Sequence, residues 1–309
     1  MFADQQLKNA TLDDVARAAG VSRATASRAV SGRGHVSPRS REAVRKAVDQ
    51  LGFAPNKAAR SLASRRTGAI ALVIPEPNAL VLTDPFIGGT IMGASQAFRD
   101  TELQLAVVIA APDQPERKVA GFLHRGTVDG AIMVSHHRSG LVTGAGEATG
   151  LPTVFIGRPW GAVAEGTTYV DVDNRAAGYA ATAHLIARGA RRIGCVAGPE
   201  DMTPVADRTA GWRDALAAAD LAPGPLRHKE FTLDGGVAAL GELLREDPAV
   251  DAVFAQSDLM AAGAIRALAA AGRSVPGDVA VVGFDDFEVA ASTTPPLTTM
   301  TNPAADLAR

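Results

Sequence analysis

After residue 67, short apolar runs alternate with alanine-rich helical patterns, and this alternation narrows the possible folds more than any composition figure does. The runs are continuous and bounded by Gly, Pro or acidic residues, as buried parallel strands require. Repeated β-α units of this kind predict doubly wound parallel sheets, which bind ligands outside the carboxyl ends of their strands. The predicted strands are 69–74, 105–110, 130–134, 153–156, 193–197, 252–255 and 279–283, and the predicted helices include 176–188, 208–219, 237–245 and 259–271.

The N-terminal part of the chain has a different pattern, that of three short helices. Thr11 and Asp14 are spaced as a capping box, in which side chains and backbone amides bond reciprocally. Gly20 can adopt a positive φ and end the first helix, and Ser22 is a natural N-cap for the second. A third amphipathic pattern, 37–52, begins with Ser-Pro and closes with Gly. Two short helices joined through a glycine turn predict a helix-turn-helix.

The second of these helices has an outward side that is rich in hydrogen-bond donors. Arginines and short hydroxyls stand there instead of the Glu/Lys mixture of an inert surface, namely Ser22, Arg23, Thr25, Ser27 and Arg28. Such side chains suit the phosphate oxygens and base edges of a DNA groove. A three-helix bundle without a DNA partner would show the same apolar periodicity, so the outward side and the local charge have to decide between the two interpretations.

The net charge of the chain, −2, hides a strong asymmetry. The segment 1–66, here termed the headpiece, holds thirteen Lys and Arg against five Asp and Glu, a net charge of +8, whereas the remainder carries −10. A compact basic segment is typical of polyanion binding, and an acidic body would be repelled from phosphates. The distribution of charge therefore favours a nucleic-acid partner, whereas the net charge of the whole chain, taken alone, argues against one.

The headpiece also resembles a known family. Residues 11–22, TLDDVARAAGVS, and 26–30, ASRAV, resemble the DNA-binding signature of the lactose-repressor (LacI/GalR) family of bacterial transcription regulators, and the match continues from Ser37 to Asn56. The resemblance implies a helix-turn-helix DNA-binding domain over 1–54 and a hinge helix with linker over 55–66.

The same resemblance implies how the headpiece would contact DNA. Arg23 and Ala24 fall where the recognition helix reads operator bases, and Arg28 matches an arginine that contacts a guanine with its bidentate fork. Ser31 replaces the Asn that the family usually has. Leu62 matches the wedge that enters the minor groove, with ordinary core packing as its alternative. The predicted DNA-binding set is Thr11, Ser22, Arg23, Ala24, Thr25, Ser27, Arg28, Ser31, His35, Asn56, Ala59 and Leu62.

The resemblance extends through the body, residues 67–309. Motifs of the family recur there in order, among them DVDNR at 171–175, AGW at 210–212, VVGFDD at 281–286 and TPPLTT at 294–299. They imply an effector-binding and dimerisation domain of two Rossmann-like lobes, similar to periplasmic binding proteins. The first lobe is expected over 67–171 and 294–309, and the second over 172–293. Members of the family continue beyond this region, so we expect the C-terminal end to be truncated, with an exposed sheet edge.

Two residues of the body carry the main effector signal. Arg208 matches the family arginine that holds effector hydroxyls or a carboxylate, and Asp285 matches an aspartate that accepts from sugar hydroxyls. This pair in a mostly apolar cleft suits a neutral polyol, so a sugar or sugar derivative is the expected effector. The alternative interpretation of Asp285 is a solvated carboxylate in a turn at a strand end. Ser257 and Gly157 stand at positions where members of the family often have different, polar residues. The predicted effector-binding set is Asp84, Phe86, Arg158, Arg208, Phe231, Ser257 and Asp285.

Enzyme classes fit the sequence less well. The glycine-rich run 144–150 precedes an apolar strand pattern, so it lacks the helix that a dinucleotide loop needs, and neither a P-loop nor a nucleophile elbow occurs. His136 and His137 are adjacent without a third ligand nearby, and Cys195 lies inside an apolar strand pattern. We therefore expect no catalytic residue, no metal and no cofactor. An α/β enzyme and a solute-binding protein of similar body fold are the competing classes.

The sequence gives one prediction of compartment and one of function. The chain has one cysteine, no apolar signal-peptide core and no run near the ~18 residues of a membrane span, so we expect a cytoplasmic protein without a membrane partner. The headpiece and body together predict a homodimeric, sequence-specific DNA-binding transcription regulator. We expect a repressor whose affinity for double-stranded operator DNA is controlled by a small effector between the lobes.

Overall fold

The computed structural model describes residues 10–32, 34–53, 66–110, 116–124, 127–135, 137–138, 150–161 and 166–309. The chain divides into two compact units, Met1–Thr67 and Gly68–Arg309. The predicted hinge residues Asn56, Ala59 and Leu62 lie outside the described residues, and so does His136.

The first unit contains three helices: α1 (Leu12–Ala18), α2 (Arg23–Ser31) and α3 (Pro38–Leu51). The amide of Thr11 donates to the carboxylate of Asp14 at 3.0 Å, and the amide of Asp14 donates back to the Thr11 hydroxyl at 3.3 Å. Gly20, at φ +63°, turns the chain from α1 to α2. Val15, Ala26 and Val44, one from each helix, are buried in a shared core. The predicted capping box and helix-turn-helix are confirmed.

The second unit begins with a five-stranded parallel sheet that forms its first lobe. The strands lie in the order β2-β1-β3-β4-β5, and apolar side chains cover both faces of the sheet. They are β1 (Ala69–Ile74), β2 (Gln104–Ile109), β3 (Gly130–Met133), β4 (Thr153–Ile156) and β5 (Thr168–Val170), accompanied by α4 (Asn78–Thr83), α5 (Pro85–Ala97) and α6 (Glu116–His124).

A second five-stranded parallel sheet forms the second lobe, in the order β10-β9-β8-β6-β7. It has the same doubly wound plan, with a buried core on each face. The strands are β6 (Ile193–Ala197), β7 (Leu226–His228), β8 (Ala252–Ala255), β9 (Ala280–Asp285) and β10 (Thr298–Thr301), and the helices are α7 (Asn174–Ala187), α8 (Thr203–Ala218), α9 (Leu233–Glu246), α10 (Asp258–Ala270), α11 (Glu288–Ser292) and α12 (Ala304–Ala308).

All seven predicted strands are present, and the two-lobed α/β body is confirmed. Three strands were not predicted: β5, β7 and β10. Each has three or four residues and lies at an edge of its sheet. An edge strand pairs on one side only and need not be a continuous apolar run, so the pattern used to find buried strands does not detect it.

The prediction that 294–309 belongs to the first lobe is corrected by β10. This strand pairs with β9, from Thr298 opposite Val282 to Thr301 opposite Asp285, and thus extends the second sheet. The physical reason is that consecutive β-α-β units tend to pair within one sheet, and α11 joins β9 to β10. Only α12 returns to the first lobe, where it packs against α5.

Two glycines bring α7 and α8 into close contact. A methyl group on Gly178 of α7 would overlap the carbonyl oxygen of Arg208, and one on Gly211 of α8 would overlap the carbonyl oxygen of Arg175. The turn of α8 that carries Arg208 is therefore held directly against α7, close to the carboxyl ends of the second sheet.

Candidate functional site

The packing of α2 determines which of its residues face outward. Ala26 is fully buried against α1 and α3, so the opposite side of the helix points away from the core. Thr25 is half-buried, and the exposed residues of the predicted set in and around α2 are Thr11, Ser22, Arg23, Ala24, Ser27, Arg28, Ser31 and His35. This outward side, with two arginines and several hydroxyls, is a basic surface of the kind that contacts DNA.

Short-range contacts fix the orientation of three side chains on this surface. The Ser22 hydroxyl caps α2 by accepting from the Thr25 amide at 3.2 Å. Arg28 donates through Nε to the carbonyl oxygen of Ala24 at 3.2 Å, so the paired terminal nitrogens of its guanidinium are left for an outside acceptor. Arg23 lies 3.2 Å from Asp13 in an exposed ion pair, which contributes little to stability and can open when phosphate is present.

A cleft in the second unit is bordered by the carboxyl ends of strands from both lobes. The open space in it, counted out through the mouth into solvent, is about 780 Å³. Asp84 and Phe86 enter it from the first lobe. The predicted effector residues that line it are Asp84, Phe86, Arg208, Phe231, Ser257 and Asp285.

Arg208 is buried in this cleft, with 5 % of its surface exposed. Its Nε donates to the side-chain oxygen of Asn174 at 2.9 Å, and its Nη1 donates to the carbonyl oxygen of Gln256 at 2.6 Å. The guanidinium carbon stands 3.6 Å from the ring centroid of Phe284. Burial lowers the pKa of Arg208 and the surrounding aspartates oppose this, so the group stays charged. Nη2 has no hydrogen-bond partner among the described residues and is available for a ligand.

Asp285 lies at the end of β9 with φ +119°, a backbone conformation that costs a non-glycine residue free energy. Asn302 holds it there: its amide donates to the Asp285 carbonyl oxygen at 3.0 Å, and its side-chain nitrogen donates to Oδ1 at 3.0 Å. Burial raises the pKa of Asp285 to about 7, against the opposing attraction of Arg208. The side-chain oxygen of Asn302 is buried and lacks a partner among the described residues.

The first lobe contributes a second acid and an aromatic face. Asp84 caps α5 by accepting from the Phe86 amide at 2.8 Å, and burial raises its pKa to about 6. Phe86, Phe231 and Phe287 add apolar surface around these polar groups. Aromatic faces with a few convergent donors and acceptors are what a sugar ring and its hydroxyls require.

Two predicted effector residues have contacts that the sequence did not indicate. Arg158 is not among the residues that line the cleft, because its Nη2 lies 2.9 and 2.8 Å from the two carboxylate oxygens of Asp207. Ser257 does line the cleft, but its hydroxyl oxygen caps α10 by accepting from the Met260 amide at 3.2 Å. The Ser257 hydroxyl can therefore still donate a hydrogen bond to a ligand.

Sequence reasoning missed several cleft residues. Asp171 and Asn174 follow β5 within the DVDNR motif, and the position of this motif after a strand was the available signal. Asn302 follows β10, a strand that the apolar pattern does not predict, so no comparable signal existed for it.

Replacing Asp285 with asparagine is expected to stabilise the unliganded protein at alkaline pH. The folded-state pKa of Asp285 is raised from 3.8 to about 7, so ionisation favours unfolding. The stability that the protonated form provides is complete below about pH 4 and is lost as the pH rises through 7. The variant carries no charge at this position, and its Tm should exceed that of the wild type by about 3–6 °C at pH 8 and match it at pH 4. A thermal melt at both pH values would refute this if the difference were the same at each.

Neither a metal site nor a membrane span is found in the described part of the chain. There, no group of three or more His, Cys, Asp or Glu side chains is arranged to hold a metal ion. Among the described helices, none has the length and apolarity needed to cross a membrane.

Two family models match the chain. Residues 11–56 match "Bacterial regulatory proteins, lacI family", and residues 182–309 match the periplasmic binding protein-like domain. The HTH-type transcriptional regulator CelR of Thermobifida fusca is 42% identical over 307 residues, which cover 99% of this chain and 90% of CelR. This relative is named as a transcriptional regulator.

Solved structures agree with these matches. A CelR–cellobiose complex superposes with a TM-score of 0.76 at 41% identity, covering 97% of this chain and 90% of that one. The lac repressor dimer bound to operator and the anti-inducer ONPF superposes with a TM-score of 0.85 at 27% identity, with the same coverage. The helix-turn-helix, the two lobes and these relatives together show that the chain belongs to the lacI family of bacterial regulatory proteins and is a DNA-binding transcription regulator.

Proposed function

We propose that this protein is a cytoplasmic repressor that binds a pseudo-palindromic operator as a homodimer and responds to a sugar in its cleft. The observation that carries this proposal is the cleft itself, which Arg208, Asp285 and Asn302 line together with three phenylalanine rings. A dimer with two-fold symmetry reads two half-sites of the same sequence, which accounts for the symmetry of the operator.

The proposed effector is cellobiose or a related disaccharide. The relative that is 41% identical over nearly the whole chain was solved in complex with cellobiose, and the cleft here is lined by the polar and aromatic side chains that a neutral polyol needs. Nη2 of Arg208 would donate to a sugar oxygen, whereas Asp285 would accept from a hydroxyl. The cleft has several carboxylates around one arginine, which disfavours a phosphorylated sugar. These contacts are those of a binding site, and we propose no enzymatic activity.

We assign DNA reading to the outward side of α2. Arg23, Ala24 and Arg28 would face base edges in the major groove, whereas Ser22, Thr25 and Ser27 would contact phosphates. The segment 1–54 is then the DNA-binding domain and 67–309 the effector-binding and dimerisation domain. The assignment of Asn56, Ala59 and Leu62 to the minor groove stays a prediction based on the family resemblance.

Arg28→Ala is expected to weaken operator binding by roughly 1–3 kcal/mol, about 5- to 150-fold, because a bidentate contact to guanine is lost. The measurement is fluorescence anisotropy with a DNA site selected by the wild-type protein from a random pool. Arg17→Ala is the matched control, since it removes the same charge from a residue that already pairs with Asp14 at 2.9 Å. If both variants lost affinity equally, Arg28 would act only as a charge and the assignment of α2 would be wrong.

A further inference from the structure

A histidine connects the two lobes at the edge of the cleft. His137 follows β3 of the first lobe, and its Nδ1 lies 2.9 Å from a carboxylate oxygen of Asp201 in the second lobe. Its Nε2 lies 3.2 Å from a carboxylate oxygen of Glu76, a buried residue that follows β1 of the first lobe. The imidazole thus stands between one carboxylate from each lobe.

Asp201 receives more than this one contact from the first lobe. Its carbonyl oxygen accepts from the Arg138 amide at 2.8 Å and from the indole nitrogen of Trp160 at 2.5 Å. The guanidinium carbon of Arg138 in turn stands 4.2 Å from the centroid of the Trp160 ring. Asp201 lies two residues before the start of α8, the helix that carries Arg208. The contacts that hold Asp201 to the first lobe therefore also set the distance between Arg208 and that lobe.

The protonation state of His137 decides whether both contacts can form. Only the doubly protonated imidazolium can donate to two carboxylates at once, because a neutral imidazole has one N–H and turns a lone pair toward the other acid. Ser135 donates to the same oxygen of Glu76 at 2.5 Å, which fixes that carboxylate.

We propose that His137 is a positioning residue whose imidazolium clamps the first lobe to the start of α8 and holds the cleft closed around Arg208 before an effector binds. The proposal goes beyond the effector function, because it concerns the unliganded protein and needs neither a sugar nor DNA. It also gives a role to Glu76, an acid that is buried in the first lobe.

The charged groups around His137 favour the clamped form. Glu76 and Asp201 contact it, and Arg138 is the nearby cation. Glu230 is also close: burial raises the pKa of its carboxyl first, and the charges of Glu76 and Asp201 raise it further. Asp84 lies beyond Glu76. The hydrogen bond to Glu76 raises the pKa of His137 to about 9, although burial opposes this. Because the folded-state pKa is about 9, His137 is almost fully protonated at pH 7, and the clamp is lost as the pH rises through 9. The stability that the clamp contributes is fully present below the ordinary pKa of 6.5 and is lost over the same rise through 9.

The test is a distance measurement between the lobes by pulsed electron paramagnetic resonance. Spin labels are placed on the effector-free full chain at Ser95→Cys in α5 and Ala217→Cys in α8, both exposed positions, and the labelled protein is diluted into unlabelled protein. Cys195 need not be replaced, because it is buried and its thiol pKa is raised to about 12. The wild type should give one narrow distance distribution at pH 7 and a shifted, broader one at pH 10.

Two variants separate the clamp from other effects of alkaline pH. His137→Gln has its donors on one amide nitrogen and turns a carbonyl oxygen toward the other carboxylate, so it should give the shifted distribution at both pH values. Asp201→Asn removes the acid of the second lobe on a half-exposed side chain, where loss of folding is not expected, and should do the same. The proposal is overturned if the distribution of Asp201→Asn at pH 7 equals that of the wild type, or if the wild-type distribution is the same at pH 7 and pH 10.

Discussion

Arg208→Ala is expected to abolish the response to cellobiose while operator binding in the absence of sugar stays intact. The guanidinium is buried, is oriented by Asn174 and Gln256, and keeps Nη2 for a ligand. Alanine removes that donor and leaves the buried Asp285 without its main cationic neighbour. Truncation of a buried, hydrogen-bonded charge costs about 2–5 kcal/mol, so cellobiose affinity should fall roughly 30-fold to several thousandfold. Calorimetric titration measures the affinity, and anisotropy with operator DNA measures the response.

Two companion variants make the Arg208 result specific. Arg208→Lys keeps a charge but loses the fork that bonds Asn174 and Gln256 at the same time, so it should recover only part of the affinity. Arg158→Ala removes an arginine that pairs with Asp207 outside the cleft lining, so it should leave cellobiose affinity within about threefold of the wild type. An Arg208→Ala protein that bound cellobiose as the wild type does would show that the cleft is not the effector site.

Gly211→Val is expected to destabilise the body by about 3 kcal/mol or more, which lowers the Tm by roughly 6–12 °C. A side chain on Gly211 meets the carbonyl oxygen of Arg175 and the amide nitrogen of Tyr179, both of which belong to the backbone of α7. Backbone atoms inside a helix cannot move aside as a flexible side chain can, so α7 and α8 would have to separate. Differential scanning calorimetry of the full chain measures the effect.

Gly241→Ala is the matched control for Gly211→Val. Gly241 lies inside α9, and an added methyl group there meets no atom within 4 Å. Alanine should therefore stabilise the helix by about 0.4–1 kcal/mol and raise the Tm by a few degrees. Destabilisation by both substitutions would mean that helix geometry, and not the close crossing of α7 and α8, makes glycine necessary at 211.

The parts of the fold that follow from local chemistry could be predicted from the sequence. Thr11 and Asp14 form their capping box because its requirements lie within four residues. The buried strands were found because a strand covered on both faces must be apolar throughout. Prediction failed at β10, whose place is decided by pairing with β9 and not by its own composition. The assignment of 294–303 to the first lobe failed for the same reason, whereas α12 packs against the first lobe as predicted.

The cleft could be predicted only in part. Arg208 and Asp285 lie within motifs that the family resemblance identifies, and both line the cleft. Asn302 contributes only because β10 carries it to the end of β9, a tertiary relation without a local signature. Arg158 was predicted to bind the effector but does not line the cleft, because it pairs with Asp207. This partner is nearly fifty residues away in sequence, so the contact also has no local signature. Contacts of long sequence separation are therefore the part of the site that the sequence alone does not reveal.

The direct test of a sugar-controlled DNA regulator is the operator affinity of the wild-type protein with and without cellobiose. If the sugar occupies the cleft and biases the headpiece, saturating cellobiose should change the Kd for the selected operator by about 5- to 150-fold, as allosteric coupling of 1–3 kcal/mol requires. Arg208→Ala should show no change in the same titration. If calorimetry detected cellobiose binding to the wild type while the operator Kd stayed constant, the link between cleft and headpiece would be contradicted.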